Sequence, residues 1–133
     1  MVISEPFIFP PMDLFKLSDD EKEISKKYIS LYKSIRDVVQ NGKLYRIKDP
    51  NYDAYTVNEY LYADKIVIIG VRNHKKMSSF EIPHIKLRGL EDNSFYYIED
   101  YNITLSGKAL MARGIDIPLK KPFDSAVIKI KKV

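Results

Sequence analysis

The spacing of apolar residues changes once along this chain, at Asn41-Gly42, from a helical period to a strand period. Upstream, Ile24, Tyr28, Leu31, Ile35 and Val38 recur at steps of four and three, which puts them on one face of an amphipathic helix. Ser18 and Glu21 form a capping box at its start, where Asp19 and Asp20 also suit the positive end of the helix dipole. Leu17 is placed to act as a hydrophobic staple, and Asn41-Gly42 is expected to supply a left-handed residue that stops the helix. The expected helix is 19–40.

Downstream of Gly42 the period is two. Strands are expected at 44–47, 54–62, 65–72, 85–87, 95–99 and 126–130, with turns at Asp49-Pro50-Asn51, Ala63-Asp64 and 89–94. Ile66, Val67, Ile68, Ile69 and Val71 are apolar on both faces, which suits a central strand covered on each side. Short strands broken by frequent turns point to a mainly β fold. The expectation is an antiparallel, Greek-key-like β-sandwich over 43–133, preceded by an arm and helix over 1–42.

The arm, residues 1–17, is expected to be extended, because Pro6, Pro10 and Pro11 lack donors and push the preceding residues out of the helical region. Its apolar content is high for a free tail. Phe7, Phe9, Met12 and Phe15 are therefore candidate contacts for a neighbouring domain or for self-association.

At 133 residues the chain suits one core. The absence of cysteine excludes a disulfide framework, a thiolate metal site and a cysteine nucleophile. The first residues lack a basic n-region, and Phe7-Ile8-Phe9 is cut short by prolines, so no signal peptide or membrane span is expected and the cytoplasm is the default location. The net charge of +4 is spread over lysine pairs such as Lys26-Lys27, Lys75-Lys76, Lys120-Lys121 and Lys131-Lys132, interleaved with acids. Nucleic-acid binding needs a more concentrated stripe.

No constellation for catalysis stands out. The five glycines are isolated, which excludes a phosphate-binding loop, and His74 and His84 lack the spacing that would aim both at one metal. Leu105-Ser106-Gly107 lacks the first glycine of a nucleophile elbow, and Ser106 reads better as a turn or cap before Ala109-Leu110-Met111. Glu91-Asp92 and Glu99-Asp100 would point to opposite faces if they lay on strands. No catalytic residue, cofactor or metal site is assigned. Ten tyrosines are the one surplus; Tyr45, Tyr52, Tyr55, Tyr60, Tyr62, Tyr96, Tyr97 and Tyr101 fall in or beside the sheet, as packing residues or as a platform for sugar rings.

Several stretches resemble the C-terminal region of glycoside hydrolase family 36, the bacterial α-galactosidases. They are Leu17-Ser18-Asp19-Asp20-Glu21-Lys22, Tyr32-Lys33-Ser34-Ile35-Arg36-Asp37 and Gly42-Lys43-Leu44-Tyr45-Arg46. Further along come Tyr62-Ala63-Asp64-Lys65, Leu87-Arg88-Gly89-Leu90, and Leu105-Ser106-Gly107-Lys108-Ala109-Leu110-Met111 with Gly114, in the same order as in the family. No Trp is present, and Ala112-Arg113 stands where the family tends to place asparagine. The resemblance implies a non-catalytic domain that follows a (β/α)8 barrel, packs against it or its oligomer interface, and leaves both catalytic aspartates to the barrel. The other reading is a carbohydrate-binding module using exposed tyrosines.

Overall fold

The computed structural model describes residues 2–3, 18–49, 55–72, 84–119 and 124–133. Phe7, Phe9, Met12, Phe15 and the Leu17 staple lie outside the described residues, as do Tyr52 and His74.

Helix α1 spans Asp19–Asn41, and its start is the one its sequence encodes: the Glu21 amide donates to Ser18 Oγ at 3.2 Å, and the Ser18 amide donates to Glu21 Oε2 at 2.8 Å. Its end differs from expectation. Gly42 has φ −78°, not a left-handed value, and its amide donates to the Val38 carbonyl at 2.8 Å. Glycine is required there by space: a Cβ would collide with that same carbonyl and stand 3.0 Å from the Leu61 carbonyl oxygen.

The strands are β1 (Val2–Ile3), β2 (Lys43–Lys48), β3 (Tyr55–Tyr62), β4 (Lys65–Arg72), β5 (His84–Ile85), β6 (Phe95–Ile98), β7 (Ile103–Ser106), β8 (Ile115–Asp116) and β9 (Ser125–Lys132). Every pairing among them is antiparallel, as expected. One sheet runs β2-β3-β4-β9-β6-β7, with β1 also paired to β9; β5 and β8 form a second, two-stranded sheet. Ala63, at φ 51°, makes the tight reversal between β3 and β4.

The sheet builds two unequal layers. On one face Val57, Ile66, Ile68, Ile98, Ile128 and Ile130 form a single core with Ile85, Leu87, Leu110, Ile115, Ile117 and Leu119, which come from β5, β8, the segments that follow each of them, and the short helix α2 (Gly107–Ala112). Ser106 caps α2, accepting from the Ala109 amide at 3.2 Å, in line with its reading as a cap. On the other face Val67 and Val127 meet only Ile35 and Val38 of α1, with Leu31, Val39, Tyr60 and Ile69 at the margins. The central strand β4 is thus covered on both sides, as its sequence requires.

Two expectations change. Glu99-Asp100 and Asp92 lie in turns, not on strands. The Glu99–Asn102 reversal is closed by the Asn102 amide donating to the Glu99 carbonyl at 3.3 Å, with Asn102 at φ 50°. The segment expected to be a strand at 85–87 leaves the ladder after Ile85, because the Leu87 amide turns to the Leu110 carbonyl at 3.1 Å.

Candidate functional site

Side-chain alternation divides the sheet residues cleanly. Tyr45, Ile47, Tyr55, Val57, Glu59 and Leu61 face the closed core, whereas Leu44, Tyr60 and Tyr62 face the α1 side. Phe95 and Tyr97 on β6 share the α1 side, because Tyr96 and Ile98 point into the core. That side is incompletely covered. Leu44, Tyr62, Val71 and Phe95 are exposed, Phe95 at 56%.

Helix α1 continues this open surface. Of its stripe only Ile35 and Val38 are buried, whereas Ile24 is 52% exposed and Tyr32, at the stripe's edge, is also exposed. The apolar stripe is continuous in sequence, but the sheet meets only its C-terminal half. Helix and sheet together present the largest set of exposed apolar side chains among the described residues, rimmed by Lys65 on Asp37 (3.3 Å) and by Lys131 over the Tyr97 ring (5.7 Å).

A second candidate is an open cleft of about 480 Å³ on the opposite layer, lined by His84, Tyr101, Ile103, Leu105, Asp116 and Pro118, among others. His84 Nδ1 lies 2.6 Å from Asp116 Oδ1, and its Nε2 faces the Arg113 carbonyl. Both ring nitrogens therefore meet acceptors, so the imidazolium is favoured, and the bond to Asp116 followed by that to Arg113 raises the His84 pKa. A ring with both nitrogens engaged has no lone pair left to act as a general base. The Tyr101 hydroxyl is likewise committed, donating to the Asp116 carbonyl.

The third feature is one the sequence did not mark. Glu59, on β3, is completely enclosed. Its Oε2 accepts the Arg88 amide at 2.9 Å, and its Oε1 has no partner among the described residues. Burial, only partly offset by Arg88, raises its pKa to about 7. Enclosure keeps any substrate away from it. Its place in a period-two strand of polar and aromatic residues gives no hint of this, since alternation alone does not say which face is closed.

The carboxylates singled out in the sequence do not converge. Glu91 is held by Lys132 at 2.8 Å and by Ser94 at 2.6 Å, which lowers its pKa, and the Asp100 carboxylate takes the Lys129 amide at 3.4 Å. Among the described residues no group of three or more histidines and carboxylates is arranged to hold a metal ion. No helix there is long and apolar enough to cross a membrane. Of the described tyrosines, Tyr55, Tyr96 and Tyr101 pack in or against the core, and the exposed ones, Tyr32 and Tyr62, belong to the open α1 side.

The resemblance noted from the sequence recurs in comparison with known proteins. A family model described as the glycosyl hydrolase family 36 C-terminal domain matches residues 55–130. The chain is 28% identical, over 92% of its length, to the α-galactosidase AgaA of Geobacillus stearothermophilus, and covers 17% of that protein. It is 30% identical, over 77% of its length, to the bifunctional α-galactosidase/sucrose kinase AgaSK of Mediterraneibacter gnavus, and covers 11% of it. Among solved structures, the galactosidase domain of AgaSK superposes with a TM-score of 0.81 at 24% identity, covering 92% of this chain and 17% of that one. Geobacillus stearothermophilus AgaA superposes with a TM-score of 0.80 at 26% identity, with the same coverage. The chain thus spans only a minor part of the length of the relatives it matches.

Proposed function

This chain belongs to the family of glycosyl hydrolase family 36 C-terminal domains, and from that premise we propose that its role is to dock against and stabilise the catalytic barrel of an α-galactosidase-like enzyme, or its oligomer interface. The observation that carries this reading is the half-covered helix α1. A 23-residue helix whose apolar stripe runs from Ile24 to Val38, while its own sheet buries Ile35 and Val38 of it, is built for a second partner. Ile24 at the N-terminal end of the stripe and Tyr32 at its edge supply one part of that contact, and Leu44, Tyr62, Val71 and Phe95 supply the rest. Burying such side chains is worth roughly 1.5–3 kcal/mol each when complete. Bond cleavage belongs to the barrel in this reading, since the polar groups here are tied up in the fold. Phe7, Phe9, Met12 and Phe15 extend the same contact or support self-association.

The alternative, a sugar platform of exposed tyrosines, asks for rings gathered in one cleft. The tyrosine that does line a cleft, Tyr101, has its hydroxyl engaged with the Asp116 carbonyl, which favours docking over sugar binding.

The test is a chimera in which this chain replaces the matching segment of Geobacillus stearothermophilus AgaA. Ile24→Lys combined with Leu44→Lys should lower its thermal midpoint and its galactosidase activity, while the same changes leave the unfolding of the isolated 133-residue chain unaltered. Equal stability of the chimera with and without the lysines would refute the docking role of this face.

A further inference from the structure

We infer that Glu59 is a proton-operated latch: the folded domain holds it as a neutral carboxylic acid, and its ionisation releases the strap formed by residues 86–90 from the sheet. The strap leaves β5 at Lys86 and crosses the closed face of the sheet. Leu87 and Leu90 are buried in the core, and Leu87 is tied to α2 through the Leu110 carbonyl. Gly89 reverses the strap at φ 74° against the Tyr45 ring, so closely that a Cβ would stand 2.5 Å from the Tyr45 hydroxyl. Among the described residues the polar link between strap and β3 is the bond from the Arg88 amide to Glu59 Oε2.

The chemistry of that link is asymmetric. An ionised carboxylate presents about four lone-pair sites for donors, and here it meets one backbone N–H. The remaining oxygen, Oε1, has no partner among the described residues, and water cannot reach it while the strap is closed. A buried carboxylate so poorly supplied is costly, whereas the neutral acid is much less so. The groups facing it do little to change this. Its cross-strand neighbours are Tyr45 on β2 and Ile68 on β4, and the cation acting on it among the described residues is Arg88, on the strap itself, whose attraction is outweighed by burial. The midpoint of about 7 that follows places the change in the neutral range. Opening the strap hydrates the carboxylate, so the opened form is favoured once Glu59 is charged.

The experiment is amide hydrogen exchange by NMR on the full chain from pH 5.5 to 8.5, with each rate normalised to its intrinsic pH dependence. Protection of the Leu87 and Arg88 amides should fall by up to about tenfold per pH unit as pH rises from the ordinary glutamate range to about 7, the limit for one proton, and level off above it. Protection of the Ile68 amide should fall less. In Glu59→Gln, which is neutral at every pH, the fall should disappear. A fall of equal size in Glu59→Gln, or pH-independent protection in the native chain, would overturn the latch. Carboxyl carbon-13 titration of Glu59 in the native chain decides independently of whether the variant folds. A midpoint near 7 supports the proposal, and one at the ordinary glutamate value contradicts it.

Discussion

His84 and Asp116 face each other across the two-residue ladder of β5 and β8, with Nδ1 of one 2.6 Å from Oδ1 of the other. The second ring nitrogen points at the Arg113 carbonyl, so protonation of both nitrogens is what fastens this corner of the second layer. Because the folded pKa of His84 is raised, the stability it contributes is fully present below its ordinary value of about 6.5 and is lost as pH climbs through the raised folded value. Both side chains are largely exposed, so the effect is small and salt-sensitive. Nitrogen-15 titration should show a His84 midpoint above the ordinary value that drops back in Asp116→Asn. An unchanged midpoint in that variant would show that the pair is not formed.

Glu59 adds a larger pH dependence of the same sign. Its folded pKa of about 7 lies above the unfolded value, so the folded chain holds the proton more tightly. The contribution is complete at acid pH, declines as pH rises from the ordinary glutamate range, and is gone by about pH 7. A shift of this size corresponds to roughly 3 kcal/mol. Denaturant unfolding should show the native chain losing about that much between pH 5 and pH 8, with Glu59→Gln nearly flat and the more stable of the two at pH 8.

Gly114 carries a sharper constraint than its position in a turn suggests. It stands at φ 75°, and a Cβ there would collide with the Ile85 carbonyl oxygen. Gly114→Ala should therefore cost more than the 1–3 kcal/mol of roughly ordinary backbone strain, with a matching fall in thermal midpoint. A change within about 0.5 kcal/mol would mean that the approach of this turn to β5 is wrongly placed.

The two halves of α1 should respond differently to truncation. Val38, 2% exposed, packs on Val67 and Val127, and Val38→Ala should destabilise the isolated chain by roughly 1–2 kcal/mol. Ile24→Ala, at a site 52% exposed, should fall within about 0.5 kcal/mol of no effect. Equal losses at both positions would indicate that the chain covers its own stripe. Ser18→Ala tests the start of the same helix and should cost about 1 kcal/mol through the lost cap.

Much of this architecture was legible in the sequence because it is local. The capping box needs four consecutive residues, the helix stripe needs about four turns, and the unbroken apolar run 66–69 announces a strand covered on both faces. What escaped depends on residues far apart. Strand β7 is four residues long and follows a reversal made by Asn102 in a left-handed conformation, without the glycine that would have marked it. Strand β8 has two residues, and only its pairing with His84-Ile85, about thirty positions earlier, makes it a strand at all. Gly42 was assigned the right residue for the wrong reason, since its need is space beside Val38, which only the folded backbone defines. The open face was partly readable: the stripe on α1 is plain, but the point where the sheet stops covering it is a property of the packing. Glu59 was invisible because burial of a carboxylate is decided by the strap above it.

The proposed role gives this chain contact surface and leaves bond breaking to a catalytic barrel. The most direct measurement is release of the chromophore from an aryl α-galactoside by the purified 133-residue chain, across a range of substrate concentrations and pH. The expected result is no saturable turnover above the uncatalysed rate, with activity appearing only when the chain is joined to a catalytic barrel. Saturable release by the chain itself, diminished by Glu59→Gln or by His84→Gln, would contradict it.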